Sequence, residues 1–347
     1  MAPTLRIGVL GAGPIAQFAH FEACRKASNA ELYAICDLAP DLLERVAAEH
    51  LPRRTFSAYD DMLADPDVDA VIVAIADQFH VEAALQALAA GKDVLVEKPM
   101  GVTVDECERL CAAVEQSGRT LQVGTMRRFD PALQYAERFV REEIGAVVAL
   151  KAWYCDSAYR YTMTDALQPI PRTSAQARRP PGNPKADLER YAMLGHGSHL
   201  IDLALWLAGD IAGVSAQIVR RGALWSWFVA CEFASGAAGH LDLTMGVQMD
   251  WHEGLQLYGE HGSVVARGFQ PWHFRSAEVE CFAERDRAYH RPLGEDGHFF
   301  RRQVEGFART VLDGAPQEGA DARAGLAALR VMDAIERSVA SGAPAAV

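Results

Sequence analysis

The first residues whose types and spacing could do chemistry are Gly11-Ala-Gly13-Pro14-Ile15-Ala16. They follow a short apolar run, residues 5–10, and open a segment, 15–26, that reads as a helix. In that setting Gly11 permits a tight turn, Gly13 lets the backbone approach a pyrophosphate, and Ala16 lets the helix pack close to the strand. The helix N-terminus then faces the negative charge. Asp37 ends the next apolar run, residues 31–36, where a carboxylate accepts from ribose hydroxyls and repels a 2′-phosphate. The expected ligand is NAD rather than NADP, with Pro14 and Ile15 among its contacts. Glu97-Lys98-Pro99 forms a second group, directly after an apolar run at 93–96. Ligands of open α/β sheets bind beyond the carboxyl ends of the strands, so Lys98 is expected in the cleft, a solvated lysine being the plain alternative. Cys107 and Cys111 could share a helix face, but no partner stands at zinc spacing. They read as ordinary thiols, and no metal site is expected.

The elements that must position these groups alternate over the first part of the chain. Strand-like runs at 5–10, 31–36, 70–75, 93–96 and 121–124 are separated by helical patterns near 15–26, 40 onward, 80–90 and 103–117. Strands spaced by helices of this length imply a doubly wound parallel sheet, here a Rossmann domain over residues 1–125. The second domain, 126–347, opens with a helix near 132–143. Strand-like segments then dominate, at 147–157, 214–220, 225–233, 237–245, 255–259 and 277–282, with glycine turns between some of them. That pattern predicts an α+β unit with a large, mostly antiparallel sheet. Two C-terminal helices follow, one carrying Val304, Phe307, Ala308, Val311 and Leu312 and one near 322–338, and they could pack back on the first domain.

Composition limits the partners. Acidic side chains outnumber basic ones 46 to 34, a net charge of −12, which argues against nucleic acid or an anionic membrane. The apolar runs are too short to span a bilayer, and no secretory leader is legible. The seven cysteines are scattered and odd in number, as expected of reduced thiols in a cytoplasm.

Taken together, Gly11-x-Gly13-x-x-Ala16, His80, Ala90-Gly-Lys-x-Val-Leu-Val-Glu97-Lys98-Pro99, Gly124, and Arg128-Phe-Asp-Pro131 resemble the Gfo/Idh/MocA oxidoreductases. Gly197-Ser-His199-Leu-Ile-Asp202 and the turn Tyr258-Gly-Glu-His-Gly262-Ser extend the resemblance over nearly the whole chain. The resemblance implies a Rossmann domain, a C-terminal open sheet, and NAD(P)-linked oxidation or reduction of sugars and cyclitols. It adds Ala76, His80, Glu97, Lys98 and Arg128 to the expected cofactor contacts. For Arg128 an ion pair is the alternative. The family's dehydrogenases commonly place Lys, Asp and His in the cleft. By motif Lys98 and His199 are two of these, but the usual Asp position, four before the His, is Gly195. Oxidation needs a hydride acceptor and a base for the hydroxyl proton. His199 is the expected base, and Lys98 the donor to the developing alkoxide. A structural histidine bracing its helix is the alternative for His199. Asp202 reads as support more than as a catalytic group, and His196 as a substrate contact, a proton relay or a spacer.

The stretch 159–192 is long and rich in Pro, Arg and polar residues, which suits a functional loop. Tyr159, Arg160, Tyr161, Asp165, Arg172 and Tyr191 are candidates there for holding a polyol, or equally for an oligomer contact. His252 and His298 are further substrate candidates. The expected activity is dehydrogenation of a secondary alcohol on a sugar, glycoside or cyclitol. The competing readings are a bound NAD used for transient oxidation in glycoside cleavage or elimination, and a non-catalytic NAD-binding regulator. An open sheet face would favour a homodimer or homotetramer.

Overall fold

A computed structural model describes residues 3–159, 170–177, 187–295 and 297–347. The chain divides into two compact units. One comprises Met1–Met126, Pro169–Leu188 and His298–Leu326, and the other Arg127–Gln168, Glu189–Gly297 and Ala327–Val347.

The first unit is built on six parallel strands, β1 (Leu5–Leu10), β2 (Ala30–Cys36), β3 (Arg54–Phe56), β4 (Ala70–Val73), β5 (Asp93–Val96) and β6 (Leu121–Val123). Their spatial order is β3-β2-β1-β4-β5-β6, so the strand order reverses between β1 and β4. A crevice opens at such a switch point beyond the carboxyl ends of the strands. Ile7, Val9, Ile72 and Leu95 are fully buried, as expected of strands covered on both faces. The crossover helices are α1 (Phe21–Lys26), α2 (Pro40–His50), α3 (Tyr59–Ala64), α4 (His80–Ala89) and α5 (Val104–Ser117). At α5, Thr103 accepts from the Glu106 N–H while the Glu106 carboxylate accepts from the Thr103 N–H, a reciprocal cap that starts the helix at that point.

The second unit begins with α6 (Pro131–Glu143) and β7 (Val147–Ser157). A nine-stranded sheet follows from β8 (Ile211–Arg221), β9 (Leu224–Phe233), β10 (Ala238–Val247), β11 (His252–Gly259), β12 (Gly262–Gly268), β13 (Glu278–Ala283), β14 (Ala288–His290) and β15 (Ala345–Ala346). Its order is β14-β13-β12-β11-β7-β10-β9-β8-β15, antiparallel except where β7 meets β10. Along β7, Leu150, Ala152 and Tyr154 are buried while Lys151 is exposed and Trp153 and Cys155 are half-buried, so one face is covered and the other open. On the covered face packs α8 (Ser198–Ala208), joined to α7 (Leu188–Ala192) by a π-helical turn Met193–Gly197. Of the two helices near the C-terminus, α9 (Phe299–Asp313) belongs to the first unit, and α10 (Ala322–Ser341) begins in the first and continues in the second.

Beside the short unexpected elements β3, α3, β14 and β15, three departures from the sequence expectations stand out. The strand expected over 70–75 stops at Val73, and Ile75 and Ala76 turn out of the sheet. The first helix begins as a π turn, Ala16–His20, whose wide spacing carries His20 inward to Glu97. Strand β12 was not expected, because its glycine ends look like turns. Gly262 is in fact sterically required, since a Cβ there would sit 2.7 Å from the Phe282 carbonyl oxygen. Among the described residues no helix is long and apolar enough to cross a membrane.

Candidate active site: a dinucleotide cleft and a histidine–tyrosine cluster

Beyond β1 the backbone turns at Gly11, whose φ is +97° and whose Cβ would stand 2.6 Å from the Ala74 carbonyl oxygen. Only glycine satisfies both conditions. The loop is pinned from two sides. The Gln17 side-chain amide donates to the Ala12 carbonyl at 2.7 Å, and the Ala12 N–H donates to Asp37 Oδ2 at 2.8 Å. The other Asp37 oxygen accepts from the Ala39 N–H at 2.8 Å. The carboxylate is thus held at the end of β2. Gly13 has no atom within 4 Å of where a Cβ would lie, so its backbone faces open space. Gly11, Gly13, Pro14, Ile15, Asp37 and Ala76 all line one cleft of about 770 Å³. Its size, its glycine loop at a helix start and its tethered acid suit an adenine dinucleotide.

Ala16, Glu97, Lys98, His80 and Arg128 do not line this cleft. Ala16 is fully buried under the loop, where its small side chain permits close packing. Glu97 accepts from His20 Nε2 at 2.8 Å and from the Lys98 N–H at 3.2 Å. Burial pushes the Glu97 pKa up, but the His20 hydrogen bond and the charges of His20, Lys98 and His80 outweigh it and hold the carboxyl below its ordinary value. His80 is 1% exposed and turns both ring nitrogens on backbone carbonyls, Pro99 at 2.7 Å and Ile75 at 3.1 Å. Both residues therefore brace the segment that carries half-buried Lys98 at the carboxyl end of β5. The motif shows which residues are present, but not that their polar atoms are consumed by the chain itself.

The second unit gathers a different set. His199, in the first turn of α8, stacks on Tyr154 with ring centroids 6.2 Å apart and planes at 3°. His196, from the π turn, places Nδ1 3.0 Å from the Tyr154 hydroxyl. Trp251 meets the same tyrosine edge-on at 5.2 Å. Tyr154 was missed in the sequence. Its place on the covered face of β7 was legible from the alternation, but its two histidine neighbours were not. Arg128 and Asp202 form a buried bidentate pair, with Nη2–Oδ1 at 2.8 Å and Nε–Oδ2 at 3.0 Å. The guanidinium lies 5.7 Å over Trp206. Arg128 is thus an ion-pair partner and no wall of the cofactor cleft, and Asp202 anchors α8. Gly195 has nothing within 4 Å of a Cβ position, so the residue type there is not imposed by crowding.

The substrate candidates scatter. Tyr159 is half exposed, and its hydroxyl donates to Gln248 at 3.0 Å. Tyr191 lies on α7. His252 pairs in register with Cys155, on the sheet face opposite Tyr154, and is therefore not brought to His199. His298 belongs to the first unit, where its Nδ1 accepts from the Arg301 N–H at 3.2 Å as the N-cap of α9. Arg172 also belongs to the first unit and reaches Glu49 at 3.4 Å. Arg160, Tyr161 and Asp165 lie outside the described residues. Of the two helical cysteines, Cys107 is buried and Cys111 donates to the Ala322 carbonyl at 3.3 Å.

A doubly wound parallel sheet with a glycine loop and tethered acid, joined to a nine-stranded open sheet, defines an NAD-binding oxidoreductase class. Residues 5–125 match the model of an oxidoreductase family with an NAD-binding Rossmann fold, and residues 133–265 match the Gfo/Idh/MocA C-terminal domain. The chain belongs to the Gfo/Idh/MocA family, NAD-dependent dehydrogenases of CH–OH donors. Inositol 2-dehydrogenase 2 of Saccharopolyspora erythraea is 30% identical over 99% of this chain and 96% of its own length. A Shouchella clausii protein named inositol 2-dehydrogenase/D-chiro-inositol 3-dehydrogenase is 37% identical over 47% of this chain and 49% of its own. An oxidoreductase domain protein of Kribbella flavida shares the fold at a TM-score of 0.82, with 22% identity and 99% of both chains covered. Levoglucosan dehydrogenase in complex with NADH shares it at 0.79, with 20% identity and 99% of both chains covered.

Proposed function

We propose that the protein oxidises a secondary hydroxyl of a cyclitol or sugar, with NAD preferred over NADP. The observation that carries this reading is the full-length similarity to a protein named inositol 2-dehydrogenase, together with Asp37 at the end of β2. Gly11, Gly13, Pro14, Ile15 and Asp37 hold the dinucleotide, whose nicotinamide supplies the hydride acceptor when bound. Lys98 donates to the hydroxyl oxygen as negative charge develops on it. His199 takes the hydroxyl proton as general base. His196, in contact with Tyr154, passes that proton toward solvent. Asp202 and Arg128 fix the helix that presents His199. We place the protein in the cytoplasm, as suits its seven scattered cysteines, and as a homodimer or homotetramer through the open sheet face.

The test is a panel of inositols, sugars and glycosides with NAD or NADP, followed by nicotinamide absorbance. Multiple-turnover NADH formation with at least one polyol is expected, with NAD the better cofactor. Product formed with no net NADH would transfer the protein to transient-oxidation chemistry, and NAD binding with no turnover to a regulatory role. In the active pairing, His199→Ala is expected to lower kcat by about 10²-fold or more while NAD binding persists. A loss under about tenfold removes His199 as the base.

A further inference from the structure

The long segment after β7 does something other than present substrate groups where it is described. Residues 172–174 lie across the helices that frame the dinucleotide cleft. The Arg172 backbone pairs twice with the Gln17 side-chain amide, its N–H donating at 2.8 Å and its carbonyl accepting at 3.0 Å. The Thr173 carbonyl accepts from Arg45 Nη2 at 2.8 Å. The Ser174 hydroxyl donates to Asp41 Oδ1 at 2.5 Å. Gln17 lies just past the glycine loop that receives the pyrophosphate. Asp41 and Arg45 are in α2, directly after the Asp37 carboxylate that meets the adenosine ribose. Three residues after Ser174, Ala177 forms part of the wall of the same cleft as Asp37 and Leu38.

We infer that residues 172–177 are a clasp over the adenosine end of the dinucleotide site, and that the cofactor leaves only when this clasp undocks. The inference rests on reading the cleft as the NAD site. A segment that merely passed by would not spend two backbone groups on one glutamine amide and a hydroxyl on a carboxylate. These bonds tie three consecutive residues to both the pyrophosphate and the adenosine sides. They are local, few and partly solvent-exposed, so the clasp can open without unfolding the unit. Cofactor release then requires breaking them, and release becomes a candidate for the slow step of turnover.

The test compares NADH release from the parent and from Ser174→Ala/Arg45→Ala, both positions lying outside the cleft wall, by stopped-flow displacement. Release about tenfold faster in the double variant is expected, from the loss of two charge-assisted hydrogen bonds, Arg45 to the Thr173 carbonyl and Ser174 to Asp41. Release unchanged within about twofold in a variant of parental circular dichroism overturns the clasp. A second measurement does not depend on a variant. Trypsin cleavage after Arg172 in the parent, followed by mass spectrometry, is expected to slow markedly under saturating NADH, and equal cleavage with and without NADH overturns the inference. A parent that shows no NADH binding in a fluorescence titration instead refutes the cofactor site itself, and the clasp with it.

Discussion

Tyr154 is the hinge of the chemistry proposed for the second unit. It stacks under the ring of His199 and hydrogen-bonds His196, so the two histidines share one neighbour rather than standing as independent groups. Gly195, four residues before His199, supplies no carboxylate to this cluster, yet a Cβ there would meet no atom within 4 Å. An added carboxylate near an imidazole favours its protonated form and raises its pKa. The base must be neutral to act, so Gly195→Asp is expected to move the acid limb of kcat/KM to higher pH. Superimposable pH profiles for parent and variant would show that the position does not act on the base. At the residue scale Glu97 and His80, expected as cofactor contacts, also bond within the chain. Their polar atoms are engaged by His20, the Lys98 N–H and two backbone carbonyls.

At the scale of elements, two helices depend on single side chains. α8 is tied down by the buried Arg128–Asp202 pair. Removing one member leaves the other charged and unpaired away from water, so Arg128→Ala is expected to cost about 3–5 kcal/mol in denaturant-measured stability. A loss within about 0.5 kcal/mol would show that the pair contributes nothing net. α9 starts at His298, whose Nδ1 can accept from the Arg301 N–H only when the ring nitrogen is unprotonated. Burial, followed by the nearby Lys26 charge, pushes its pKa down from 6.5 to about 4. Below pH 6.5 the unfolded chain takes up a proton that the folded one refuses, so stability present above that pH is lost as pH falls toward 4. Partial exposure trims the loss to about 1–2 kcal/mol. His298→Asn, a neutral cap that does not titrate, is expected to flatten that part of the stability–pH curve relative to the parent. Identical slopes from pH 6.5 to 4 would assign the loss to other groups.

At the scale of the whole molecule, the open face of the nine-stranded sheet exposes apolar side chains on several strands. Val219, Leu224, Phe228, Tyr258 and Val265 are each between 36% and 45% exposed on β8, β9, β11 and β12. Apolar groups spread over adjacent strands of one sheet face favour association. Light scattering at micromolar concentration is expected to give a dimer or tetramer mass, and a monomer mass would contradict it. The net charge of −12 limits indiscriminate association, so the assembly is expected to be closed and of one size.

What the sequence by itself determined was local. Period-two and period-3.6 patterns with a glycine loop specify strands, helices and a dinucleotide turn, because those signals depend on neighbours a few residues away. β1, β2, β5, β7 and α5 lie where their patterns put them, and Gly11, Gly13, Pro14, Ile15, Asp37 and Ala76 line the cleft. Tertiary structure alone decided which polar atoms remain available. Glu97 was spent on His20, Arg128 on Asp202 and His298 on a helix start, while Tyr154 was brought to two histidines. Arg172 was carried to the cofactor side of its unit through contacts 123 and 155 residues away in sequence. Such pairings link segments whose separation no periodicity encodes. A buried polar group bonds to whichever partner the packed chain brings within reach.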